Sequence, residues 1–376
     1  MNFLDLFAGI GGFRLGMERA GHTCVGYVEI DKYARKSYQA IHDTEGEWTR
    51  EDITKVTDDE WRTLRGTIDV VCGGFPCQSF SIAGKRRGFE DIRGTLFFDI
   101  ARAAKQIKPR ILFLENVKGL LSHNEGQTFA TILKALHELG YDAEWQVCNS
   151  KNFGVPQNRE RVFIIGHLRG ESGRKIFPFG GNDAKINNQR IEKIGNIRKK
   201  GKSQSGDVVS VAGLAPTLCS TTTQKDPLKV IVAGNLPGSH EQNSRVYGTE
   251  SVSPTLTTMQ GGGQELKIKV KEATKKGFAD AFPGDSINIS HPDSETRRGR
   301  VGKQLANTLL TGEEQAVVEN DFRIRKLTPR ECWRLQGFPD WAFDRAAEVN
   351  SNSQLYKQAG NSVTVNVIEA IAKKLD

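Results

Sequence analysis

The chain has no paired cysteine motif. Its six cysteines, Cys24, Cys72, Cys77, Cys148, Cys219 and Cys332, are scattered, none forms C-x-x-C, and no histidine cluster accompanies them. This spacing argues against a zinc site and for free thiols in a reducing compartment, so no metal is expected. No apolar run approaches the roughly 20 residues that a membrane-spanning helix needs, so no membrane partner is expected. The start, Met1-Asn2-Phe3-Leu4-Asp5-Leu6-Phe7, lacks the basic opening and long apolar stretch of a signal peptide, and a cytoplasmic protein is expected. Acidic residues are in the minority, 45 against 53 Lys and Arg, and the net charge of +8 favours a polyanionic partner. With 376 residues, 37% of them hydrophobic, the chain can bury a sizeable core and has room for one large domain with an insertion, or for two.

Strand signals at 3–7, 23–28, 68–72, 111–114, 143–149 and 161–165 alternate with helical patterns at 13–20, 32–42, 96–107 and 129–139. This alternation predicts an α/β fold, a parallel sheet covered on both faces. Past about residue 170 the helical period fades. The stretch 185–206 is polar and basic, and Thr-Leu segments recur in Ala215-Pro216-Thr217-Leu218, Ser253-Pro254-Thr255-Leu256 and Ala306-Asn307-Thr308-Leu309, at spacings too irregular for a solenoid. A second domain of short strands and long loops is predicted there. Order returns at Thr328-Pro329-Arg330-Glu331, where Thr328 as N-cap, Pro329 at N1 and Glu331 at N3 form a capping box. That helix reaches about residue 336, and 363–375 is helical again. The expected division is 1–170, 171–322, 323–351 and 352–376.

Two groups of residues carry chemistry. Cys77, in Gly74-Phe75-Pro76-Cys77-Gln78-Ser79, lies just past a buried strand on a loop turned by proline, and reads as a nucleophile. Glu115 follows the strand 111–114. If the two strands are neighbours, both residues sit at carboxyl ends, in the crevice where such sheets bind ligands. A carboxyl desolvated there has a raised pKa and can donate a proton. In Gln157-Asn158-Arg159-Glu160-Arg161 the alternation puts Gln157, Arg159 and Arg161 on one face. The second group opens with Asp5-Leu6-Phe7-Ala8-Gly9-Ile10-Gly11-Gly12, a strand, a glycine turn and a helix start. Arg14 stands where a dinucleotide fingerprint needs glycine, so a nucleoside cofactor without a pyrophosphate fits better. Glu29, 20 residues after Gly9, suits ribose hydroxyls, and Asp52-Ile53 suits an adenine amino group and ring. Together these features favour S-adenosylmethionine.

These motifs, with Glu115-Asn116-Val117, Arg325-Lys326-Leu327-Thr328-Pro329-Arg330-Glu331-Cys332 and Gly360-Asn361-Ser362-Val363, resemble the bacterial cytosine-C5 DNA methyltransferase family. The resemblance covers 2–170 and 323–376. It implies a doubly wound S-adenosylmethionine-dependent methyltransferase sheet with a smaller, loop-rich, mostly-β target-recognition domain at 171–322. It implies that the cytosine is flipped from double-stranded DNA, that Cys77 attacks C6, that Glu115 serves N3, that Arg161 holds O2 and that Arg159 supports the site. For the cofactor it implies Phe7, Gly9, Gly11, Glu29, Ile30, Asp52, Ile53, Pro76, Leu96 and Asn361. Position 30 is often a bulkier aromatic in relatives, so Ile30 implies looser stacking on adenine. DNA contacts are implied for Gln78, Ser81, Lys85, Arg86 and Arg87, in a basic loop, and for Thr255-Leu256, with Thr217-Leu218 and Thr308-Leu309 as rivals. Arg297, Arg298 and Arg300 suit phosphates. The expected setting is a monomeric bacterial or phage modification enzyme, paired with a restriction endonuclease of the same specificity without touching it. The alternatives are a tRNA cytosine methyltransferase and a catalytically silent DNA-binding protein on the same fold.

Overall fold

The computed structural model describes residues 1–76, 95–170, 175–179, 267–291, 294 and 296–375, and the backbone of four short strands between 193 and 247. Its first part alternates β1 (Asn2–Leu6), α1 (Gly12–Arg19), β2 (Thr23–Val28), α2 (Lys32–Ile41), β3 (Trp48–Arg50), α3 (Asp58–Thr63), β4 (Val70–Gly74), α4 (Leu96–Ile107), β5 (Ile111–Val117), α5 (Gln127–Glu138), β6 (Tyr141–Asn149) and β7 (Glu160–Leu168). The seven strands form one sheet in the order β3-β2-β1-β4-β5-β7-β6. Period-two alternation decides the two faces. Leu4, Leu6, Leu112 and Leu114 pack with α4 and α5 on one side. Phe3, Phe113 and Ile165 pack on the other, with Phe13 and Met17 of α1. Strands buried on both faces read as nearly continuous apolar runs, which is why they stood out.

The sheet is not wholly parallel. β1 to β5 run parallel, but β7 pairs antiparallel with both β5 and β6. Only the ten residues 150–159 join β6 to β7, and they hold a single 3-10 turn, Ser150–Phe153. A parallel crossover needs a dozen or more residues. β7 therefore doubles back between β5 and β6, and its first residues meet the end of β5, with Val117 opposite Arg161.

The described residues after β7 hold short strands, as predicted. The backbone pairs β8 (Lys193–Asn196) with β9 (Asp207–Val209), and β10 (Val232–Asn235) with β11 (Arg245–Tyr247). β12 (Ile268–Lys271) and β13 (Phe278–Ala281) form a hairpin, and β14 (Ser286–Asn288), β15 (Val301–Gly302), β16 (Gln315–Val318) and β17 (Ile324–Lys326) form a four-stranded sheet. β17 carries this sheet past the expected boundary at 322, to Lys326. Arg300, read as a phosphate ligand, is instead 5% exposed and donates to the carbonyls of Asn288 (3.1 Å) and Lys271 (3.0 Å), tying the hairpin to the sheet. The segment 306–309 runs beside 156–159: Asn158 N–H donates to the Ala306 carbonyl (2.8 Å) and the Thr308 hydroxyl to the Asn158 carbonyl (2.7 Å).

Four helices close the chain: α6 (Pro329–Leu335), α7 (Asp340–Val349), α8 (Asn352–Asn361) and α9 (Val365–Ala372). α6 carries the expected capping box on Thr328 and Glu331. α7 and α8 were not expected. Neither has a side-chain cap. They are held by packing instead, with Ala342, Phe343, Leu355 and Ala359 in one cluster around the fully buried Trp333. α9 returns to α1, where Gly16 leaves room for Ile368: a Cβ at residue 16 would lie 2.5 Å from that of Ile368. Among the described residues no helix is long and apolar enough to cross a membrane.

One carboxyl lies inside this framework. Asp5, in the middle of β1, is fully buried and accepts from the Tyr38 hydroxyl at 3.4 Å. Burial pushes its pKa up to about 8, against the opposing pull of Arg14. The folded state therefore binds a proton that the unfolded chain has released above about pH 4. The stability linked to that proton is full below about pH 4 and is lost as pH rises toward 8. Asp5→Asn removes this dependence. In urea titrations across pH, the stability of the variant relative to the native chain should climb from pH 4 to pH 8 and then level off, whereas a constant difference would contradict a titrating Asp5.

Candidate active site

The carboxyl ends of β3, β2, β1 and β4 lie side by side, and the turns leaving them carry most of the expected cofactor residues. Phe7 and Gly9 follow β1 with left-handed φ of 55° and 57°. A Cβ at Gly9 would meet only the Phe7 carbonyl, at 4.0 Å, so this turn faces open space. Gly11 (φ 84°) sits differently: the ring of His42 fills the place a Cβ would take. The close approach that requires glycine at residue 11 thus comes from this chain's own histidine. His42 is buried, which drives its pKa down to about 3, and its Nε2 has no partner.

Glu29, at the end of β2, accepts from Gly9 N–H and Asp31 N–H, both at 2.7 Å, one on each oxygen. A carboxylate has about four acceptor positions, so two are left for a diol. Burial raises its pKa, and the two backbone N–H groups oppose the shift. Beyond β3, Asp52 caps a 3-10 turn (Ile53–Lys55) by accepting from Thr54 N–H (3.0 Å) and the Thr54 hydroxyl (2.7 Å). The Thr54 hydroxyl bond, ahead of the others, holds its pKa below the usual carboxylate range. A cavity of 310 Å³ opens here, lined by Ile30, Arg50, Glu51, Asp52, Lys55 and Val56. Ile30 stands 68% exposed at its mouth. Ile53 does not line it. Its side chain is 4% exposed and packs into the core. Pro76 is exposed after β4, Leu96 opens α4, and Asn361 is exposed at the end of α8.

β4 and β5 are neighbours, with Gly74 opposite Glu115. A Cβ at residue 74 would lie 2.7 Å from Glu115 Oε2, so glycine at the strand end is what admits the carboxyl. Nothing in the isolated motif marked Gly74 for this role. Asn116 Nδ2 donates to the Phe75 carbonyl (2.7 Å) and anchors the start of the loop that leads to Cys77. Cys77 itself, with Gln78, Ser81, Lys85, Arg86 and Arg87, lies outside the described residues, as do Thr217, Leu218, Thr255 and Leu256.

Glu115 is 8% exposed, and Arg161 Nε lies 3.0 Å from its Oε1. Burial raises the Glu115 pKa, and Arg161 and then Arg159 oppose the rise. The two arginines have separate commitments. Arg161 meets the carboxyl, while Arg159 is 2% exposed and donates only to main-chain carbonyls: Leu309 (3.2 Å), Gly360 (3.0 Å) and Ser362 (2.8 Å). Gln157 is fully buried and donates to the Leu335 carbonyl at 3.4 Å. Glu160 points away and pairs with Lys118 at 3.0 Å, as the alternation predicted. Arg14, which disfavoured a pyrophosphate cradle, is buried with ion pairs to Glu18 (2.7 Å) and Glu47 (2.8 Å).

A family model described as C-5 cytosine-specific DNA methylase matches residues 1–376. The orphan methyltransferase M.SPRI of Bacillus phage SPR is 34% identical, covering 100% of this chain and 97% of its own. The type II methyltransferase M.HhaI of Haemophilus parahaemolyticus is 33% identical over 99% of this chain and 93% of its own. The solved structure of the S. pombe Dnmt2 methyltransferase superposes with a TM-score of 0.51 at 15% identity, covering 100% of this chain and 98% of that one. This last likeness concerns the fold.

The opposition between burial and Arg161 at Glu115 can be measured. Arg161→Gln removes the favourable charge and leaves the burial, so the carboxyl should titrate at higher pH in the variant. The check is carbon-13 NMR of the Glu115 carboxyl, where an unchanged or lowered midpoint would contradict the assignment.

Proposed function

Since this chain belongs to the C-5 cytosine-specific DNA methylase family, we propose that its Cys77 thiolate attacks C6 of a cytosine flipped out of duplex DNA, with Glu115 as proton donor. The enzyme is a DNA (cytosine-5-)-methyltransferase, and methyltransferases of this family generally use S-adenosylmethionine. The observation that carries the residue assignment is the pairing of Gly74 with Glu115, which brings the carboxyl to the end of β4, three residues before Cys77 in the chain.

The chemistry follows from what cytosine lacks. C5 is too poor a nucleophile to take a methyl group unaided, and its ring atoms are shielded while the base is stacked. Bond formation between the Cys77 sulfur and C6 pushes electrons through the ring toward N3. There the Glu115 carboxyl, whose pKa burial raises against the pull of Arg161 and Arg159, gives a proton, and C5 becomes nucleophilic. Arg161 is suited to hold Glu115 in place and to meet the cytosine O2. S-adenosylmethionine, when bound, supplies an electrophilic methyl group. A base then takes the C5 proton, the sulfur–C6 bond breaks, the N3 proton returns to Glu115 and Cys77 is restored.

The cofactor residues fit such a nucleoside. The open turn at Gly9 admits it, the free acceptor positions of Glu29 suit ribose hydroxyls, and ionised Asp52 beside Ile30 suits the adenine amino group and ring. Ile53, packed in the core, would act through the main chain. We assign target recognition to the short-strand region, about 171–326, with Thr255-Leu256 as the base-reading segment. Thr308-Leu309 is less suited, because its hydroxyl is engaged with Asn158 and Leu309 is 4% exposed. The expected setting is a monomer in the bacterial cytoplasm, within a restriction-modification pair or a phage-borne equivalent.

Bisulfite sequencing of host DNA after expression should reveal 5-methylcytosine in one sequence context for the native chain and none for Cys77→Ala. Methyl label found in RNA instead would favour the RNA alternative, and no label would overturn the enzyme reading. Glu29→Ala should weaken S-adenosylmethionine binding by about 1.5–3 kcal/mol, roughly 10- to 150-fold in Kd, by titration calorimetry.

A further inference from the structure

Buried polar groups are hydrogen-bonded as a rule. Arg159 takes its partners from far along the chain. Its guanidinium reaches about 150 residues along the chain to the Leu309 carbonyl and about 200 residues to those of Gly360 and Ser362. Its Nε is buried without a hydrogen-bond partner, and among the described residues it forms no salt bridge to a carboxylate. The main chain around it is joined to the same places. Asn158 N–H donates to the Ala306 carbonyl, and Ala306 N–H to the Pro156 carbonyl, both at 2.8 Å. The Thr308 hydroxyl donates to the Asn158 carbonyl at 2.7 Å. Gly360 lies so close to the Leu310 carbonyl that any Cβ would overlap it.

Three stretches therefore converge on one cation: 156–159 entering β7, 306–311 within the short-strand region, and 360–362 closing α8. Planar guanidinium, with donors spread in a fixed fork, can serve carbonyls on both sides at once. A lysine ammonium is a single point and cannot span them. The two outer stretches face different ligands in the reading given above. Asn361 lies in the cofactor group, and 306–311 belongs to the arm that meets DNA.

We propose that Arg159 is a positioning residue that couples the two ligands: through its shared hydrogen bonds, seating DNA on the recognition arm sets the 360–362 turn for the cofactor, and the reverse. This rests on the enzyme reading of the same site. Arg159 acts through main-chain carbonyls and does not touch the base. Such coupling is reciprocal: each ligand must change the affinity of the other by the same factor.

The test measures the Kd of S-adenosylhomocysteine with and without a duplex carrying the methylated context, and the Kd of the duplex with and without S-adenosylhomocysteine. The native chain should show mutual enhancement of about 5-fold or more, falling to about 1 in Arg159→Lys. Thr308→Val, which removes one hydroxyl from the same junction, should lose part of the coupling while melting as the native chain does. It decides the matter if Arg159→Lys does not fold. An uncoupled native chain, or coupling unchanged in folded variants, would overturn the proposal. So would a loss of both separate affinities with coupling intact, which marks a merely structural residue. A native chain that binds neither ligand would overturn the enzyme reading itself.

Discussion

Strand β7 runs against its neighbours, and the chemistry of the crevice depends on that reversal. Ligands of an open α/β sheet gather at the carboxyl ends of its parallel strands. Residues that lead into a parallel strand sit at the other end, roughly 30 Å away for a strand of this length. Gln157, Arg159 and Arg161 lie at the start of β7, so a parallel β7 would have carried both arginines out of reach of Glu115. Running antiparallel, β7 sets Arg161 opposite Val117, and its Nε reaches the Glu115 carboxyl at 3.0 Å.

The reversal also brings two like charges together at the start of β7. A buried guanidinium and a half-buried one beside one carboxyl would be costly if both sought it. Here the charges divide their partners. Arg161 takes the carboxyl, and Arg159 takes three carbonyls, its pKa pushed down to about 9 by burial and by Arg161. At Glu115 burial outweighs both cations, so the carboxyl leans toward its protonated form. A group that must give a proton to a ring nitrogen is served by that balance. Gly74 contributes by absence, since any side chain there would push the carboxyl away.

Much of this was legible in the residues. Glu115 and Arg161, which the sequence marks as candidates, meet at 3.0 Å, and Glu29 and Asp52 fall just past the ends of β2 and β3. The parallel strands were readable because burial on both faces leaves unbroken apolar runs. The direction of β7 was misread although its signal was present: ten residues without a helix are too few for a parallel crossover. Gly11 was read as a place of close cofactor approach, but only folding shows that His42, 31 positions along the chain, fills that space. Arg300 reads as a phosphate ligand in the sequence, and its burial against Asn288 and Lys271 depends on a hairpin that no local pattern announces. α7 and α8 lack side-chain caps, so packing around Trp333 had to be seen directly.

The central claim is that the crevice beside Glu115 delivers the Cys77 sulfur to C6 of cytosine. The most direct measurement is covalent trapping in cells grown with 5-aza-2′-deoxycytidine. Nitrogen at ring position 5 carries no proton to remove, so the sulfur–C6 bond persists after methyl transfer. Mass spectrometry of DNA-linked peptides should then find the adduct on the peptide that contains Cys77. An adduct on another cysteine, or no covalent complex from a chain that methylates host DNA, would contradict the account.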